Sequence, residues 1–256
     1  MGERGSTNYH SLRDFETDLV QFSDMEFGQT AYRFIRIDVL ECANLNIKKI
    51  LGVFEYFDAP IGGDFKCSDS RLNQIFDTAA YTLILCVHNN MLWDGVERDR
   101  LVWIGDMHPE MLAMLHLYGS QNCIKNSLRF FRDQTPLPLF MNRIPAYSLW
   151  WIIILSDYYL YTGDRQFLEE NAEYLTALVR YLESLVDSDG NICFPESSDK
   201  YFLDWATYCK QERQACVYAL MSYACKKLSQ IADIVGINHK EIINLRNRYQ
   251  EGSPAR

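Results

Sequence analysis

The chain has 256 residues, with 25 Lys+Arg against 34 Asp+Glu and a formal charge of −9. Hydrophobic residues make up 48% and charged residues 23%, a globular composition that excludes disordered, collagen-like and membrane-spanning classes. The acidic balance, with no basic stretch denser than Arg246 to Arg248, excludes a general nucleic-acid or anionic-membrane binder, which needs basic patches to engage phosphates.

Residues 1–18 carry no periodicity and read as a lead-in. The next stretch has β texture. Tyr32, Phe34, Ile35, Ile37 and Val39 are strand formers in an alternating run over 31–39, and a second run covers 47–57 after an Asn44-Leu45-Asn46 turn signal. So few strands bury little surface by themselves, so they are expected to be the last strands of a β-domain. Asp58 to Asp64, with Pro60, Gly62 and Gly63, is a breaker-rich joint.

Beyond the joint the texture is helical. Ser68 or Asp69 caps a helix expected to reach Val87, with Leu72, Ile75, Phe76, Ala79, Ala80, Leu83 and Cys86 on one face. An aromatic and charged loop follows over 91–106. Helices are expected from about Pro109 to a Gly119 stop, over 123–132, over 146–161, over 165–185, over 211–235, and from Ile237 to about Tyr249. The 146–161 helix is apolar all round and the 165–185 helix is one-faced. That alternation suits stacked hairpins in two concentric rings, inner helices buried and outer helices amphipathic.

The loop reads Trp93-Asp94-Gly95-Val96-Glu97-Arg98-Asp99-Arg100-Leu101-Val102-Trp103-Ile104-Gly105-Asp106. Carboxylates and guanidiniums bond sugar hydroxyls, and flat indoles cover the apolar faces of sugar rings. Glycoside hydrolysis needs two carboxyl groups in unlike environments, one to donate a proton and one to activate water or attack. The blander reading is a loop whose charges pair with one another and cap helices, with Asp106 an N-cap, Arg100 an ion-pair partner and Trp93 in the core. Asp94, Asp99 and Trp103 together are the hardest to explain that way.

The run Asp94-Gly95-x-x-Arg98-Asp99-Arg100-Leu101-Val102-Trp103-Ile104-Gly105-Asp106 resembles the signature of the α-L-rhamnosidases of glycoside hydrolase family 78. The flank Gly63-Asp64-Phe65-Lys66-Cys67-Ser68-Asp69 with Leu72, Asn73 and Ile75 is similar to the entry to that family's helical toroid. Tyr161-Thr162-Gly163-Asp164 and Asp204-Trp205 are similar to later hairpins. The resemblance covers roughly residues 32–235. It implies a mainly α chain, part of an (α/α)6 toroid of helical hairpins preceded by the last strands of a β-sandwich. The domains are expected at 1–63 and 64–256. It further implies inverting hydrolysis of terminal α-L-rhamnosyl residues, without a cofactor.

Carried over, Asp94 binds sugar hydroxyls, and Arg98 holds sugar and neighbouring carboxylates. Asp99 stands where many members have a Glu assigned as general acid. Trp103 walls the pocket, and Asp106 is a further acidic ligand and itself a candidate acid. Trp150, Trp151, Asp204 and Trp205 fall where the family places further pocket residues. The sequence departs from the family in two respects. Asp99 is one methylene shorter than Glu, so the acid is Asp99 or Asp106. The family's general base is a Glu in a late hairpin beyond the helices read here, which make about three hairpins and part of a fourth. The chain is therefore expected to be truncated at both ends.

The alternatives are a non-catalytic carbohydrate-binding or degenerate glycosidase fragment, or a toroid acting on another sugar. Toroidal prenyltransferases and peptide cyclases need a zinc site, and no such motif is present: the eight cysteines form no CxxC pair and His108 to His116 is not HExxH. Cys86, Cys216 and Cys225 lie in apolar helical stretches as reduced thiols pack, His88 and His239 look isolated, and Met107, Met111 and Met114 have core spacing. Residues 1–7 lack a signal-peptide core, and the longest apolar run, 149–155, is far short of the ~20 residues a membrane helix needs. A cytoplasmic location, a carbohydrate substrate, no nucleic acid and no membrane are the resulting expectations. The sequence leaves the oligomeric state unset.

Overall fold

In a computed structural model, residues 16–28, 31–41, 44–96, 99–195, 201–204 and 210–251 are described. The first helix, α1, is Ser70–Leu85, and Asp69 caps it by accepting from the Arg71 and Leu72 amides. A two-residue antiparallel pair follows, β1 (Val87–His88) with β2 (Met91–Leu92), turned by Asn89 and Asn90 at positive φ. Then come α2 (Met107–Tyr118), α3 (Asn122–Gln134), α4 (Pro145–Thr162), α5 (Arg165–Glu170), α6 (Ala172–Ser184), α7 (Lys210–Val235) and α8 (His239–Glu251).

The helices α2, α4 and α7 pack side by side as an inner layer, with α4 between the other two. From Pro145 to Tyr158 every residue of α4 except Trp150 is buried, as expected of a helix apolar all round. The outer layer is α1, α3, α5 with α6, and α8. Met107, Met111 and Met114 on α2 are fully buried. Short turns close the hairpins after each inner helix. Gly119 and Gly163 end α2 and α4 at φ 71° and 67°, a backbone region that a Cβ disfavours. Asp164 then caps α5 through the Phe167 amide and pairs with Lys125 of α3 at 3.2 Å. The Thr-Gly-Asp run is thus a structural staple at the short-turn end.

The long connections, 86–106, 135–144 and 185–209, each lead into the N-terminus of an inner helix. Short-turn hairpins run antiparallel, so the N-termini of α2, α4 and α7 gather at one end of the helices. His108 of α2 and Lys227 of α7 both bond the buried Asp157 of α4, His108 at 2.9 Å. This ion cluster locks the three inner helices together.

Several expectations need correcting. The 31–39 and 47–57 segments form no strand among the described residues; most of their apolar side chains, Phe34 and Leu51 among them, are exposed, and Phe57 is partly buried. A strand needs a neighbouring strand to saturate its backbone; the Phe57 amide instead donates to the Ile84 carbonyl of α1 at 3.1 Å. The 165–185 helix is broken at Asn171, whose buried side chain bonds the Phe167 carbonyl and Arg132 of α3. On α1 only Ala80, Leu83 and the capping Cys86 are buried, and Leu72 and Ile75 are 47% and 55% exposed. Cys216 is exposed; His88 stacks on Trp93 at 4.3 Å, and His239 bonds Asp233 at 3.0 Å. Among the described residues no helix is long and apolar enough to cross a membrane.

Candidate active site

The connection from α1 to α2 is built on two tight links. The Trp93 amide donates to the Cys86 carbonyl at 2.7 Å. Asp94 and Leu101 then clasp each other: the Asp94 amide donates to the Leu101 carbonyl, and the Leu101 amide donates to Asp94 Oδ1, both at 3.0 Å. The loop between them is closed at its neck. The second long connection braces it, since Asn142 accepts from the Ile104 amide at 3.3 Å and donates to the Val102 carbonyl at 3.4 Å.

Inside this frame Asp99 and Arg100 are held at φ 51° and 53°. For residues with a Cβ this left-handed region costs about 1 kcal/mol each. Asp99 Oδ1 and Trp103 Nε1 are buried without a hydrogen-bond partner. An unpaired buried polar atom costs about 1–3 kcal/mol. A strained backbone and two unsatisfied polar atoms within five residues are not accounted for by the loop's own stability.

The carboxylates act on one another. Burial, then the neighbouring Asp99 and Asp106 carboxylates, push Asp94 up to about 6, against the lowering pull of the Leu101 amide. Asp106 occupies the N-cap of α2 but makes no side-chain capping bond, so the capping role expected of it is not what holds it. One helical turn on, burial with Asp106 and Asp94 pushes Glu110 up to about 8. From the first turn of α4, Tyr147 faces the same group: burial, then Asp106, Asp204 and Asp94, push its phenol up to about 12. Its ring meets Trp103 edge-on at 6.1 Å.

Glu110 and Tyr147 were not among the expected site residues. Glu110 had a visible signal, its i+4 spacing from Asp106 on one helix face. Tyr147 had none, because only the packing of α4 beside the loop brings it in.

The structure thus groups Asp94, Asp99, Trp103 and Asp106, with Asp204 exposed nearby. Trp150 is partly buried on α4, its ring 5.3 Å from that of His108. Trp151 is no pocket residue: it is 0% exposed, its indole donates to the Leu128 carbonyl at 3.1 Å, and its ring packs on Tyr174. Adjacent helix positions point about 100° apart, so the pair divides between two faces. Arg98 and Trp205 lie outside the described residues. Among the described residues no group of three or more His, Cys, Asp or Glu has the arrangement to hold a metal ion.

Among solved structures the chain is similar to a GH78 family rhamnosidase of Bacillus sp. GL1, at 20% identity and a TM-score of 0.61, over 76% of this chain and 21% of that one. It is also similar to a rhamnosidase from Klebsiella oxytoca with rhamnose bound, at 19% identity and a TM-score of 0.56, over 72% of this chain and 38% of that one. The chain thus spans well under half the length of either. No curated protein matches it. The description "bacterial alpha-L-rhamnosidase 6 hairpin glycosidase domain" matches residues 61–251, the segment from the joint to the end of α8. On this match the chain belongs to the bacterial α-L-rhamnosidase six-hairpin glycosidase domain family.

Proposed function

We propose that this chain carries the acid-bearing side of the active site of an inverting glycoside hydrolase that removes terminal α-L-rhamnosyl residues. The observation that carries the reading is Asp99: its Oδ1 is buried and unpartnered on a left-handed backbone within the signature loop. Asp99 is the general acid in this reading and protonates the leaving glycosidic oxygen. Asp106, at the positive end of α2, is the second candidate for that role. Asp94 accepts from sugar hydroxyls, Trp103 and Trp150 cover apolar ring faces, Asp204 lines the rim, and Arg98 and Trp205 complete the set. Inversion requires a second carboxylate about 6.5–9.5 Å from the acid to activate water, which the family resemblance assigns to a late hairpin. In this reading residues 64–256 belong to the toroid part and residues 1–63 to the domain before it.

The test is hydrolysis of an aryl α-L-rhamnoside, with proton NMR to identify the first anomer released. Release of the β anomer, lost in Asp99→Asn or Asp106→Asn, supports the reading. Full hydrolysis in both variants sinks the assignment of the acid, and first release of the α anomer sinks inversion. A second reading, sugar binding without turnover, is favoured by one feature: Asp99 is shorter by a methylene than the Glu usual in the family. Rhamnose binding with no hydrolysis would select it.

A further inference from the structure

The carboxylates of the signature loop accept hydrogen bonds, and a carboxylate donates only when it carries a proton. A pyranoside, however, has a ring oxygen and a glycosidic oxygen that only accept, besides hydroxyls that do both. A site that holds one needs donors facing the carboxylates.

Two side chains outside the loop meet that need. Tyr147 is 7% exposed and lies within electrostatic reach of Asp94, Asp106 and Asp204. Its ring is fixed by Trp103 at 6.1 Å and by close contact with Gly105, where a Cβ would overlap the ring. Glu110, partly buried in the first turn of α2, stands four residues on from Asp106 along one helix face and lies within electrostatic reach of Asp94 and Asp106. Trp103 Nε1, buried and unpaired, is a third donor on the same side.

We propose that Tyr147 and Glu110 are sugar-contacting residues, the donor half of a site whose acceptor half is the aspartates of the loop. The ligand class is a neutral pyranoside. Tyr147 donates its O–H, and Glu110 donates as a neutral carboxylic acid, to ring or hydroxyl oxygens, leaving the glycosidic oxygen to the acid of the loop. Around Glu110 stand Cys86 at the end of α1, Asp94 of the loop, and Asp106 of its own helix. Asp94 is pushed up to about 6 and Cys86 up to about 11. A change in binding as pH rises through about 8, the range of Glu110, is therefore distinct from both, and Tyr147 stays neutral throughout.

The inference rests on the sugar-binding reading above, and calorimetry on the whole chain separates the two. L-Rhamnose and a panel of neutral methyl glycosides are titrated into the native chain, Tyr147→Phe and Glu110→Gln. Tyr147→Phe keeps the ring and removes only the hydroxyl, so its fold is preserved and it decides the matter even if Glu110→Gln does not fold. Expected is about tenfold weaker rhamnose binding in Tyr147→Phe. The native chain should also weaken about tenfold as pH rises through about 8, a fall that Glu110→Gln abolishes because its amide still donates. Rhamnose bound equally by all three at every pH overturns the inference and leaves the rhamnoside reading standing. Another glycoside bound in place of rhamnose, with the Tyr147→Phe loss intact, overturns the rhamnoside reading and upholds the inference. No binding of any sugar overturns both.

Discussion

Gly105 lies directly against the ring of Tyr147: a Cβ there would overlap Cε1 and Cζ of the phenol. The glycine is what lets α4 come close enough for Tyr147 to face the carboxylates. Gly105→Ala is therefore expected to cost about 1–3 kcal/mol through overpacking, read as a shifted urea midpoint. It should also weaken sugar binding more than Tyr147→Phe does, because it displaces both Trp103 and Tyr147. A variant as stable as the native chain would show that the ring moves aside at no cost.

Asp99 is expected to trade stability for chemistry. Its buried, unpaired oxygen costs folding energy that a neutral amide costs less. Asp99→Asn should raise the melting temperature, or leave it unchanged, while lowering any rhamnoside hydrolysis by about 10²–10⁴-fold. A marked fall in melting temperature would mean that the carboxylate is structural.

The ion cluster on Asp157 should behave in the opposite way. Asp157→Ala leaves Lys227 and His108 facing each other without the carboxylate that both bond. Removing one partner of a buried pair typically costs about 3–5 kcal/mol. Urea unfolding followed by tryptophan fluorescence checks this. An Asp157→Leu, Lys227→Met double variant should recover much of the loss, because both charges leave together.

Two glutamates give stability opposite slopes with pH. Glu170 is lowered from 4.5 to about 2 by its hydrogen bonds to Arg129 and Arg132. Its contribution is present above about 4.5 and is lost as pH falls towards about 2. Glu110 is raised from 4.5 to about 8 by burial. There the folded state binds the extra proton, so stability is full below about 4.5 and falls as pH rises through about 8. Melting curves across pH should show both flanks. Glu110→Gln should flatten the alkaline flank and leave the acid flank in place, and an unchanged alkaline flank would contradict the burial of Glu110.

What the sequence made legible was local or strongly periodic. The all-apolar run of α4 announced a buried inner helix, and the Asp94 to Asp106 loop carried its chemistry in consecutive residues. What it hid depends on contacts distant in the chain. Asn171 breaks the long outer helix because Arg132 meets its side chain. Trp150 and Trp151 look alike in sequence, but the Leu128 carbonyl claims one indole. Tyr147 gains its place only once α4 docks beside the loop. The alternating segment at 31–39 shows the converse: a strand pattern yields a strand only where a partner supplies the ladder.

The mutual clasp of Asp94 and Leu101 also shapes how this site can change. Both ends of the intervening loop leave the helical scaffold at a single point, tied by two hydrogen bonds. One of those two bonds uses only main-chain atoms, and the other uses the Asp94 carboxylate. A substitution at Asp94 that removes the carboxylate therefore removes one tie of the neck together with the acceptor, so this single position couples the shape of the loop to its charge.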